Sequence, residues 1–86
     1  MKNETYSHKM NTLYKLNINE IARISYLADS ISVVRLSEMG VVSGAKVRMI
    51  KKNPLGGPIQ IKINDSYLIL RKEDASQIYI KNNNEK

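Results

Sequence analysis

Apolar residues alternate with polar ones along this chain in runs too short for anything but strands. The clearest run is Ile59-Gln60-Ile61-Lys62-Ile63, with three isoleucines on one face and Gln60 and Lys62 on the other. Period two over five residues is the pattern of a half-buried strand. It recurs at residues 21–27, where Ala22, Ile24 and Tyr26 share a face against Arg23 and Ser25. It recurs again at 45–51, where Ala45, Val47 and Met49 alternate with Lys46, Arg48 and Ile50. Residues 12–16 read as a short first strand, 67–71 as the strand returning from a turn at Asn64-Asp65, and 78–81 as a closing strand with Ile78 and Ile80 inward. The intervening segments carry turn chemistry: residues 17–20, Ser43-Gly44, and the run Asn53-Pro54-Leu55-Gly56-Gly57-Pro58. Strand ladders exclude such a density of proline and glycine.

One stretch changes period. Val33, Leu36 and Met39 fall three apart, a helical stripe about two turns long. Asp29 and Ser30 offer N-cap oxygens before it, and Gly40 follows where a helix stops in the left-handed conformation. Residues 73–77 predict one further tight helical turn, with Glu73 and Asp74 placed to favour its dipole. Five to six short strands with one short inserted helix predict an all-β fold, a small barrel. Closing a sheet of this size removes the exposed edges an open one would carry.

The 86 residues suffice for one domain, and a domain this small buries only about 60% of its unfolded surface. Residues 1–11 read as a flexible lead-in, 12–81 as the barrel and 82–86 as a flexible tail. There is no Cys, which removes disulfides, thiolate ligands and thiol catalysis together. The single histidine, His8, lies in the lead-in, so a nucleophile would lack an activating base. The carboxylates are scattered, and Met39 and Met49, the candidate soft ligands of the domain, sit on predicted core faces. The glycines at 56–57 lack the lysine of a phosphate loop. These features predict no enzyme, no cofactor and no metal site.

No run approaches the roughly 18 apolar residues of a membrane span, so no direct membrane insertion is expected. The polar start is not a secretory signal, and the expectation is a cytoplasmic protein. The net charge is +6, from 14 basic and 8 acidic residues. The basic residues are dispersed, with Lys51-Lys52 and Arg71-Lys72 adjacent, which predicts a soluble basic domain and no specific nucleic-acid binding.

Three motifs in order carry a family resemblance. Arg35-Leu36-Ser37-Glu38-Met39-Gly40, continued by Gly44 and Val47, resembles a signature R-L-x-(D/E)-(L/M)-G-(hydrophobic)-x-x-G-x-x-(V/I). Asn53-Pro54-Leu55-Gly56-Gly57-Pro58-Ile59 is similar to a loop A-P-L-G-D-P-(hydrophobic), and Leu68-Ile69-Leu70-Arg71-Lys72 with 75–80 to (L/I)-x-L-R-x-x-E-A-x-x-I-x-V. Together they resemble the FeoA family over roughly residues 13–80. Asn53, Gly57 and Asp74 depart from its usual residues.

The resemblance implies an SH3-like barrel that stands alone as an accessory of bacterial ferrous iron uptake. It implies docking to FeoB, the membrane permease with a cytoplasmic GTPase domain, and recruitment through it to the inner face of the cell membrane. Self-association is a second partner expectation. The alternative is an RNA-binding SH3-like module, for which Gly44-Ala45-Lys46-Val47-Arg48 and the charge speak. The few stacking aromatics, Tyr14, Tyr26, Tyr67 and Tyr79, speak against it.

In a small barrel the inward strand positions are core, so recognition falls to inserted helices and loops. The expected docking surface therefore joins Arg35, Leu36 and Met39 of the helix to Pro54, Leu55, Gly57 and Pro58 of the loop, with Arg71. Leu55, between a proline and two glycines, either anchors a partner or folds back over a barrel end. Arg35 and Arg71 either pair with Glu38 or a partner carboxylate, or satisfy backbone carbonyls.

Overall fold

The computed structural model of the chain describes residues 11–28 and 32–82. Six strands form one antiparallel sheet: β1 (Asn11–Thr12), β2 (Ile21–Leu27), β3 (Lys46–Lys52), β4 (Ile59–Ile63), β5 (Ser66–Leu70) and β6 (Ile78–Asn82). Their spatial order is β1-β6-β2-β3-β4-β5. A 3-10 turn (Leu13–Lys15) follows β1, α1 (Val33–Glu38) joins β2 to β3, and α2 (Lys72–Ala75) joins β5 to β6. This is the all-β architecture the alternation predicts. Asn11 pairs with Ile80 and Asn82 with Ala22, so the paired region extends one residue beyond 12–81 on each side. The rest of the lead-in and tail, and the caps expected at Asp29 and Ser30, lie outside the described residues.

The inward positions of the strands fill the core: Ala22, Ile24, Val47, Met49, Ile59, Ile61, Ile63, Leu70, Ile78 and Ile80 are all buried. No polar or charged side chain is buried among the described residues. The hydrophobic effect thus acts on one continuous apolar interior to which every strand from β2 to β6 contributes.

Three expectations are corrected. First, of residues 12–16 only Thr12 belongs to a strand, at the end of β1. Leu13 and Leu16 are both buried, and a spacing of three would put them on opposite faces of a strand. The 3-10 turn, with three residues per turn, brings both onto the core.

Second, Tyr26 does not share the face of Ala22 and Ile24. A bulge lies between Ile24 and Tyr26, so Ile24 pairs with Ile80 while Tyr26 pairs with Tyr79. One extra residue reverses the alternation and sends every later side chain to the other face. Tyr26 consequently stands half-exposed and stacks on Tyr79, ring centroids 4.7 Å apart and planes within 9°.

Third, Met39 is not on a core face; it is 36% exposed, and Val33 is also exposed. Only Leu36 of α1 is buried. The helix ends in a paired C-terminal turn: the Val41 amide donates to the Leu36 carbonyl and the Gly40 amide to the Ser37 carbonyl, each at 3.0 Å. That is the Schellman arrangement, whose apolar contact joins the third-last helical residue to the one after the glycine. Val41, fully buried, therefore occupies the place expected of Met39.

Candidate docking surface

The 53–58 loop begins with a hydrogen-bonded turn. The Asn53 carbonyl accepts from the Gly56 amide and the Asn53 side-chain Oδ1 from the Leu55 amide, both at 3.0 Å. Asn before Pro, with Gly at the fourth position, is the preferred composition of a type I turn, and the Asx bond closes it further. Asn53 is one of the departures from the family loop, and here its side chain supplies a bond that a small residue could not. Gly56 and Gly57 follow at φ +89° and +120°, conformations that other residues rarely adopt. The turn holds Leu55 at its tip, 93% exposed. Leu55 does not fold back over the barrel end.

Beneath the loop is a cluster that the sequence motifs do not mark. The ring of Tyr14, on the 3-10 turn, has two ammonium groups over it: Lys52 at 5.6 Å and Lys72 at 5.5 Å from its centroid. Lys52 Nζ also donates to the Leu16 carbonyl at 2.8 Å. Its position follows from a second bulge, between Met49 and Lys51, which leaves Lys52 opposite the inward Ile59. A Cβ on Gly56 would lie 3.8 Å from the Tyr14 hydroxyl and 4.0 Å from Lys72 Nζ. Loop, 3-10 turn and the start of α2 thus meet at one barrel end, and Arg71, the exposed N-cap residue of α2, borders it. Cation–π pairing ties the Tyr14 ring to the β3 end and to α2. The signal for this cluster was the tyrosine itself, on a segment read as a strand.

The helix half of the expected surface lies elsewhere. A Cβ on Gly40, at the end of α1, would fall 2.9 Å from Asn64 Nδ2 in the β4–β5 turn. The 53–58 loop enters the opposite end of β4, a strand roughly 13 Å long. Pro54, Leu55, Gly57, Pro58 and Arg71 are therefore grouped, whereas Arg35 and Met39 are exposed at the other end and Leu36 is core. Among the described residues no hydrogen bond or ion pair engages the side chain of Arg35 or Arg71. Other cations do hold carbonyls, as when Arg23 Nη1 donates to Gly44 O at 2.8 Å.

Each tyrosine of the domain has a partner within the molecule, since Tyr67 lies under Lys62 Nζ at 5.6 Å. No group of three or more His, Cys, Asp or Glu side chains converges among the described residues. No helix among them is long and apolar enough to cross a membrane.

A six-stranded antiparallel sheet with short helices between its strands is the architecture of a small SH3-like barrel. The chain belongs to the FeoA family: the sequence model of the FeoA domain matches residues 11–82. FeoA from Chlorobium tepidum is similar at 29% identity and a TM-score of 0.78, over 87% of this chain and 72% of that one. A FeoA-like protein from Clostridium acetobutylicum is 25% identical with a TM-score of 0.77, over 91% and 92%. Stenotrophomonas maltophilia FeoA, solved with zinc, is 27% identical with a TM-score of 0.72, over 81% and 88%. It is described as a procaryotic SH3 domain protein and a candidate activating factor of bacterial ferrous iron transport. Comparison with curated proteins returned no match.

Proposed function

We propose that this protein is a non-enzymatic accessory of ferrous iron transport that docks to the cytoplasmic part of the FeoB permease through the barrel end bearing the 53–58 loop. Family membership supports the transport role. The observation that carries the docking role is Leu55, 93% exposed at the tip of a turn closed by two Asn53 bonds. A large aliphatic side chain held in water by a hydrogen-bonded turn gains about 1.5–3 kcal/mol when a partner pocket buries it. The turn is already ordered, so little conformational entropy opposes that gain. Lys72 and Arg71 beside the loop offer cations to partner carboxylates, with Glu73 and Asp74 following them in α2.

A pull-down of FeoB by this protein, with and without guanine nucleotide, tests the reading. Retention of FeoB by the wild-type chain supports it, and a difference between the two nucleotide conditions would place the contact near the GTPase domain. Absence of retention in both contradicts it.

A further inference from the structure

The outer face of the sheet, away from the loop end, opposes like charges across its ladders. Arg48 on β3 is the direct partner of Lys62 on β4, and Arg23 on β2 is the direct partner of both Lys46 on β3 and Lys81 on β6. These side chains point outward, because their chain neighbours Ala22, Val47, Ile61, Ile63 and Ile80 fill the core. Directly opposed like charges destabilise a sheet. Among the described residues no strand carries an Asp or Glu to relieve them. Glu20, next to β2, instead accepts from the Asn17 amide at 3.0 Å, and Asp65 sits in the β4–β5 turn. The same face carries an open depression. Lys46, Arg48 and Lys62, with Ile21, Ile50 and Tyr67, line a groove of about 430 Å³.

We propose that this groove is a second docking site, distinct from the loop end, that takes an extended acidic peptide segment. Lys46 and Arg48 are two residues apart on one strand, roughly 6.8 Å, which is the spacing of alternate carboxylates on an extended chain. Lys62 faces Arg48 across the ladder and completes a triangle of cations. Ile21 and Ile50 offer apolar surface to the aliphatic stems of glutamates. A flat plane of lipid headgroups does not enter a groove. Single-stranded nucleic acid needs open aromatic faces for its bases, and the one ring here, Tyr67, is under the Lys62 ammonium. A bound acidic segment neutralises the opposed charges that the free protein tolerates at a cost in stability.

The test is fluorescence anisotropy of a labelled peptide of alternating Glu and Val at low ionic strength, against wild type and Arg48→Glu. A matched Gln-Val peptide, a single-stranded oligonucleotide and phosphatidylglycerol vesicles are run beside it. The wild type should bind the Glu-Val peptide and not the Gln-Val one, with affinity falling as salt rises. Arg48→Glu should weaken that binding about tenfold or more. The same substitution places opposite charges across β3 and β4, so its Tm should rise by about 2–5 °C, which separates lost binding from lost folding. No binding of the acidic peptide, equal binding by both proteins, or a lowered Tm overturns the proposal. Tighter binding of the oligonucleotide or the vesicles, lost in Arg48→Glu, assigns the groove to nucleic acid or membrane and overturns it as well.

Discussion

Gly40 and Leu55 show how differently two motif residues can matter. Gly40 holds φ at +91°, and a Cβ there would press on Asn64 Nδ2 at 2.9 Å. A β-branched residue resists that conformation, so Gly40→Val should cost more than about 1 kcal/mol, read as a lowered Tm. Gly40→Asn, which tolerates left-handed backbone, should cost less. Equal Tm values for the wild type and Gly40→Val would mean that the C-terminal turn of α1 is not as described. Leu36, packed at the same turn and 1% exposed, should lose about 2–5 kcal/mol on truncation to Ala. Leu55, at 93% exposure, has almost no packing to lose within its own chain. Conformation fixes the first residue, burial the second, and neither explains the third.

At the scale of elements, the strands were legible because Ile59, Ile61 and Ile63, or Ala22 and Ile24, must all face one way if any does. The α1 stop was legible at Gly40 for a comparable reason, since few residues other than glycine adopt its φ. What the alternation hid was where it breaks. The first bulge falls inside a run whose pattern reads on without interruption, and nothing in Ile24-Ser25-Tyr26 distinguishes a flat strand from a bulged one. The spacing of two from Ile24 predicts Tyr26 inward, and the bulge turns it outward onto Tyr79. The second bulge, which delivers Lys52 to Tyr14, does leave a mark, since apolar Ile50 and charged Lys51 break the alternation that runs to Met49. The loop half of the candidate site was legible from Pro54 and Pro58. Its Tyr14, Lys52 and Lys72 base was not, because those residues meet only through tertiary packing. The bulge account predicts a coupling between Tyr26 and Tyr79 of about 0.5–1.5 kcal/mol in a double-mutant cycle of alanine substitutions monitored by denaturant unfolding. Additive single effects would show that the stacked pair contributes nothing beyond its burial.

For the whole molecule, a uniformly apolar interior leaves recognition to the barrel ends and the outer face. Among the described residues no His, Cys, Asp or Glu cluster offers a metal site. Fe²⁺ titrated anaerobically into the protein in a calorimeter should reveal no site of micromolar affinity, and one that survived removal of residues 1–11 would contradict the account. The central claim is that the 53–58 loop end is a partner surface, and Leu55→Ser tests it most directly. The measurement is a titration of the cytoplasmic part of FeoB with wild type and Leu55→Ser, each checked by thermal melting. The account predicts binding weakened by about 1–2 kcal/mol, roughly five- to thirtyfold in Kd, at a nearly unchanged Tm. A lowered Tm with unaltered FeoB affinity per folded molecule would contradict it and make the loop a structural turn.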